Sequence, residues 1–207
     1  MSDILKIGVL VSGSGSNLQA IIDRIEDGTL TAKVACVISN KADAYALERA
    51  KRHGIATHVL DHRSHAGREA YDAALVELLR SHGVQLVVLA GFMRIVTPVL
   101  LEAFPHAVMN IHPALLPAFP GLHAQHQSLQ YGVKITGCTV HFVDEGTDTG
   151  PIIIQAAVPV MEDDTEDSLS ARIQVEEHRI YPEAVRLFAD GRLTINGRRV
   201  VIAPLEP

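Results

Sequence analysis

An α/β fold, with a mostly parallel twisted sheet flanked by helices, is predicted by three observations. Apolar runs and amphipathic segments alternate along the first hundred residues. The run "ILKIGVLV" is short, apolar and rich in β-branched residues, and "QLVVLAGF" is continuous in hydrophobicity, as a strand covered on both faces must be. Further on, "VKITGCTVHFV" and "GPIIIQAAVPV" flank the polar "DEGTDT", the pattern of an antiparallel pair. The N-terminal half is therefore expected to be Rossmann-like, with right-handed crossovers and a ligand crevice at the strand C-termini. The C-terminal half should carry the antiparallel strand pair.

Ile4–Val11 is the first strand. From Asn17, "NLQAIIDRIEDG" has apolar residues at helical spacing and stops at Gly28. Lys33–Asn40 reads as a second buried strand, "ADAYALERAKRHG" as a helix ending at Gly54, and "ATHVL" as a short third strand. A helix comes next in "SHAGREAYDAALVELLRSHG", with Ser64 as its candidate cap and Gly83 at its end. Beyond the fourth strand, "QLVVLAGF", Thr97-Pro98 joins a capping residue to a good first-turn residue and opens a short helix. "HAVMNIH" is a strand and "HAQHQSLQYG" a helix. A long amphipathic helix is expected over "TEDSLSARIQVEEHRIYPEAVRLFADG", kinked or broken near Tyr181 by Pro182. Asn196-Gly197 in the tail signals a hairpin.

The 207 residues suffice for one compact unit with two lobes. Hydrophobic residues are 47% and charged residues 20%, ordinary for a globular α/β protein. A formal charge of −6 argues against a nucleic-acid groove, which needs a basic stripe, but leaves room for a local phosphate pocket. Cys36 and Cys138 sit in apolar runs and read as small buried hydrophobes. No apolar run approaches 18 residues and no signal peptide opens the chain, so no membrane is expected and the cytoplasm is the default.

Three stretches could carry chemistry. "VSGSGSN", Val11–Asn17, is a Gly/Ser turn that aims backbone N–H groups at the positive end of a helix, which suits an anion. It is a poor dinucleotide fingerprint: Leu18 stands at the third glycine position, and Asn40 stands where an acidic residue would close strand two. A phosphate monoester is the better ligand, with a plain tight turn as the alternative. In "AVMNIHPALLPAFPGLHAQ", Asn110 and His112 share one face of a strand. Pro113, Pro117 and Pro120 restrain the strand end and the loop beyond it. An amide beside an imidazole can hold an oxyanion and move a proton, although a structural Asn and His would look the same. In "HFVDEGTDTGPII", the carboxylates Asp144, Glu145 and Asp148 are either solvated or fold back beside His112. The pairs His62-x-x-His65 and His123-x-x-His126 have helical spacing but lack further ligands, so no metal is expected.

These pieces occur together and in order. "SGSGSNLQAII", "SNKADAYALERA", "VVLAGFMRI", "NIHPALLPAFPGLHA", "HFVDEGTDTGPII" and "QVEEHRIYPEAV" resemble the glycinamide ribonucleotide formyltransferases, folate-dependent enzymes of purine synthesis, from about Ile7 to Arg192. The resemblance implies a single formyltransferase domain over 1–207, with a phosphate-binding lobe over about 1–100 and a folate-binding, catalytic lobe over about 101–207. It implies Asn110, His112 and Asp148 as catalytic residues, and Gly15, Ser16, Asn17 and Glu177 as contacts to glycinamide ribonucleotide. It further implies folate contacts at Arg68, Met93, Arg94, Ile95, Val96, Asn110, Val143 and Asp144. The implied co-substrate is 10-formyltetrahydrofolate; the implied assembly is a monomer or homodimer. One departure is visible: "HAQHQ" stands after "PGL" where the family often has "HTHRQ". Gln125 is accordingly kept out of the site, and His123 is given a supporting role.

The implied reaction is attack of the glycinamide amine on the formyl carbon. Three other readings compete. A hydrolase of the same folate would use the same Asn-His-Asp set, but is expected to carry an N-terminal regulatory domain for which a strand beginning at Ile4 leaves no room. An initiator-tRNA formyltransferase would need about another hundred residues and a basic face. A non-enzymatic nucleotide-binding module would use the loop at Ser12–Asn17 alone.

Overall fold

The continuous apolar runs form the centre of a parallel sheet in the computed structural model, which describes residues 4–204. β1 (Leu5–Val11), buried from Ile7 onward, lies between β2 (Ala32–Ser39) and the wholly buried β4 (Leu86–Leu89). β3 (Ala56–Val59) pairs with β2 and β5 (Val108–His112) with β4, again parallel, giving the order β3-β2-β1-β4-β5. The crossovers carry α1 (Ser16–Glu26), α2 (Tyr45–Arg52), α3 (Arg68–Ser81) and α4 (Pro98–Ala103). The strand order reverses between β1 and β4, the place where α/β sheets open a crevice. The chain divides after Asn110, inside β5, into two compact units.

Two caps differ from expectation. Ser64 does not start α3: the Asp61 carboxylate accepts from the Arg63 backbone N–H and opens a single 3-10 turn, His62–Ser64. α3 begins only at Arg68, after Gly67. Asp61 wins because it is the stronger local acceptor and also holds the Arg63 guanidinium at 2.7 Å. Thr97 stands at the N-cap of α4, but its side chain makes no cap bond. Instead the buried Asp72 carboxylate on α3 accepts from the Thr97 N–H at 2.6 Å, tying the two helices together. Burial raises the Asp72 pKa, which that hydrogen bond opposes.

The second unit contains α5 (Ala124–Tyr131), β6 (Ile135–Phe142), β7 (Ile152–Pro159), α6 (Glu166–Ala189), β8 (Leu193–Asn196) and β9 (Arg199–Ile202). β6 and β7 are antiparallel, as are β8 and β9, and β7 meets β9 in parallel at Ile152 and Arg199. Unlike β1 and β4, β7 alternates: Ala156 and Val158 are buried, whereas Gln155, Ala157 and Pro159 face solvent. α6 packs against both β6 and β7. The hairpin at the tail turns on Gly197-Arg198, one position beyond the Asn-Gly step that announced it.

Of the kink or break expected near Tyr181, the break is absent: α6 runs through Pro182 as one helix. An interior proline costs about 3 kcal/mol. Ile180, Tyr181, Ala184 and Val185 around it are completely buried. At roughly 1.5–3 kcal/mol for a buried apolar side chain, two of them offset that cost. The helix starts on a capping box: Thr165 Oγ1 accepts from the Ser168 N–H at 3.1 Å, and Ser168 Oγ accepts from the Thr165 N–H at 3.0 Å. Replacing Thr165 by Ala should lower stability by about 1 kcal/mol. Chemical denaturation reads this as a lower midpoint at unchanged slope.

Candidate active site

β5 ends on Asn110 and the buried His112, two residues apart. The His112 imidazole is held on both sides. Its Nε2 lies 2.8 Å from the Phe119 carbonyl oxygen, which can only accept, so Nε2 carries a hydrogen. Its Nδ1 lies 3.3 Å from Asp148 Oδ2. The carboxylate that the sequence left unplaced does fold back onto the histidine. The same Oδ2 accepts from the Gly121 backbone N–H at 2.7 Å, so both flanks of the proline loop are tied to this cluster.

That loop is restrained by more than its prolines. Thr139 Oγ1 on β6 donates to the Ala114 carbonyl and accepts from the Leu116 N–H, at 2.7 and 3.0 Å. Gln155 on β7 adds a bond to the Leu116 carbonyl. The Leu116–Pro117 peptide is cis, and Phe119 has a positive φ of 53°. Asp148 also has a positive φ, 55°, unusual for a residue other than glycine. The turn is held by Asp144, whose Oδ1 accepts from the Gly146 N–H and the Thr149 hydroxyl.

His141 on β6 completes the cluster and was missed in the sequence. Its Nε2 lies 3.8 Å from Asp148 Oδ1, while Nδ1 donates to the Phe142 carbonyl at 2.9 Å. Its position two residues after Thr139, and so on the same face of β6, was the available signal. Burial holds the His141 pKa below the ordinary 6.5. As pH falls, the unfolded chain therefore takes up this proton first. The contribution to stability is whole above pH 6.5 and declines as pH drops through the folded value. Thermal melts of His141→Asn between about pH 7.5 and 5 should show a shallower loss than the parent; parallel curves would contradict this.

In the first unit, the loops after β1 and β4 are bonded to each other. Ser12 N–H donates to the Gly91 carbonyl, and the buried Ser12 hydroxyl accepts from the Met93 N–H at 3.0 Å while donating to Asn40 at 2.6 Å. Asn40, which the sequence offered only as a missing acid, is thus a brace. The turn reaches α1 through Gly15, at φ 72°, where any Cβ would strike Ala46. Ser16 and Asn17 are the first residues of α1. Arg68, the first residue of α3, lines a cavity of about 400 Å³ with Ala66, Gly67 and Thr97. In the segment after β4, Met93 and Ile95 are exposed, Val96 is buried, and the Arg94 guanidinium lies 5.2 Å from the Tyr71 ring centroid.

Glu177 is buried on α6, the helix packed against β6 and β7. It helps raise the Cys138 thiol to about 12, although burial is the larger cause; burial likewise raises Cys36 to about 11. Neither cysteine is a nucleophile at neutral pH. Val143 and Asp144 come directly after β6. Among the described residues no group of three or more His, Cys, Asp or Glu side chains is placed to hold a metal ion.

The formyl transferase family profile matches residues 5–185. The chain belongs to the formyl transferase family. Within that family, it is 48% identical to the phosphoribosylglycinamide formyltransferase of Escherichia coli, over 93% of this chain and 91% of the relative. Its fold matches glycinamide ribonucleotide transformylase 1 from Symbiobacterium toebii with a TM-score of 0.97, at 58% identity over 99% and 96% of the two chains. A formyltetrahydrofolate deformylase from Pseudomonas syringae shares the fold at TM-score 0.91, but at 27% identity and over 67% of its length. The resemblance drawn from the sequence motifs therefore holds. This formyl transferase is an enzyme of one-carbon group transfer, and among its described residues no helix is long and apolar enough to cross a membrane.

Proposed function

We propose that this formyl transferase moves the formyl group of 10-formyltetrahydrofolate to the amine of glycinamide ribonucleotide, in purine biosynthesis, by direct attack. The observation that carries the mechanism is the His112 ring clasped between the Phe119 carbonyl and the Asp148 carboxylate. The amine nitrogen attacks the formyl carbon and the carbonyl electrons move to oxygen. The tetrahedral intermediate then loses a proton from the new nitrogen, gains one on the folate nitrogen and expels the folate.

In this reading Asn110 and His112 donate to the oxyanion, the formyl oxygen taking over the Nε2–H now engaged by Phe119. One such donor is typically worth ~2.7–4 kcal/mol. Asp148 accepts the second N–H of the ring and passes protons, directly or through water. Bringing the two substrates together supplies much of the remaining acceleration. Gly15, Ser16 and Asn17 would hold the ribonucleotide phosphate at the start of α1, where a helix N-terminus favours an anion. Glu177 would hold the glycinamide portion. Arg68, at the start of α3 beside an open cavity, suits a folate carboxylate, and the exposed Met93 and Ile95 suit its ring system; Arg94, Val96, Val143 and Asp144 are the further folate contacts that the resemblance implies. No step requires a metal.

The test is consumption of the formyl folate by purified protein with and without glycinamide ribonucleotide. Loss only with the ribonucleotide supports transfer. Loss without it would make the enzyme a deformylase, and no loss in either arm would reduce it to a binding module.

A further inference from the structure

α2 grips the turn after β1 at three consecutive residues. The Ala46 N–H donates to the Gly13 carbonyl at 3.1 Å, and the Ala46 methyl occupies the space a Gly15 side chain would need. Arg49, one turn further along α2, donates from Nε to the Ser14 carbonyl at 2.8 Å. The guanidinium itself is fixed from two other sides. Nη1 reaches Gln19 Oε1 on α1 at 3.4 Å, and the Tyr45 ring lies beneath it, 4.9 Å from centroid to carbon. Gln19 is in turn bonded to Asp23 and to His53, and His53 to Glu26. An arginine on a helix surface is ordinarily free to swing. This one is immobilised on a loop backbone oxygen 35 residues away.

Peptide geometry gives this contact a consequence for the loop. The Ser14–Gly15 peptide is planar, so its N–H points opposite to its C=O. By pinning the carbonyl, Arg49 fixes the direction of the Gly15 N–H at the mouth of α1. The same contact parks a permanent positive charge beside a helix N-terminus, in a chain whose formal charge is −6. Both effects favour a phosphate dianion over a neutral hydroxyl.

We propose that Arg49 is a positioning residue of the phosphate loop and sets the preference for a phosphorylated substrate. The inference rests on the phosphate reading of residues 12–17. Arg49→Ala should raise KM for glycinamide ribonucleotide on the order of tenfold or more, the loss expected for a charge-assisted contact. The kcat and the KM for the folate should not move. Inhibition by inorganic phosphate should weaken by a similar factor. The glycinamide riboside, which lacks the phosphate, should be used equally well by both proteins. Arg49→Lys, which keeps the charge but not the fork, should recover only part of the loss.

A purely structural role would weaken both substrates alike, and that result overturns the proposal, as does an unchanged KM. Asn17→Ala separates the role of Arg49 from the role of the loop. If that variant loses the preference for phosphate while Arg49→Ala keeps it, the inference about Arg49 alone falls. If neither variant changes it, the phosphate reading of the loop falls as well.

Discussion

Asp148→Asn is expected to lower kcat by about 10²–10⁴-fold while leaving both KM values near those of the parent. The reason is the hydrogen-bond inventory around that one side chain. Its Oδ2 accepts from the Gly121 N–H and faces His112 Nδ1. An asparagine that keeps its oxygen towards Gly121 keeps it towards His112 Nδ1 as well and turns its NH₂ towards His141 Nε2. His112 then faces a neutral amide oxygen in place of a carboxylate. The ring loses the negative charge that would balance a second proton during the reaction. Steady-state kinetics from about pH 6 to 9 provide the check, and near-normal turnover across that range would refute the role given to Asp148.

Gly150→Ala is the second large effect. A Cβ at this position would run into the Phe142 carbonyl oxygen, a backbone atom that no change of rotamer can move aside. Overpacking of this kind usually costs about 1–3 kcal/mol, and a backbone obstacle places it at the upper end or beyond. The displacement falls where β6 and β7 are joined, two residues from Asp148. The variant should therefore lose roughly 3 kcal/mol of stability and most of its turnover together. A folded Gly150→Ala protein with parental activity would show that the loop yields without disturbing the carboxylate.

Much of the architecture was legible because it is written in local patterns. Apolar runs announced β1 and β4, and two runs flanking a polar stretch announced the β6–β7 pair. Where the reading failed, a contact distant in sequence had overridden a local preference. Pro182 argued for a kink or a break, yet α6 continues through it with Ile180 and Val185 buried on either side. The site shows the same division. The shared strand of Asn110 and His112 came from a period of two, whereas the approach of Asp148 depends on a β6–β7 turn that no spacing rule specifies. Thr139 and Gln155 were invisible for the same reason: each is an unremarkable strand residue until the proline loop is laid against it.

The strand order carries a consequence for how this chain must be made. β1 is synthesised before the other strands of the first unit, yet it lies in the middle of their order. One of its neighbours, β4, is synthesised about eighty residues later, as the pairing of Ile7 with Leu86 records. Until then the run from Ile7 to Val11 has β2 on one side and an open edge on the other. Closing that gap requires a long-range pairing, the slow class of folding event. A nascent chain that stalls before Leu86 leaves one edge of this apolar strand open, and the interval between those two segments is when a chaperone has most to cover.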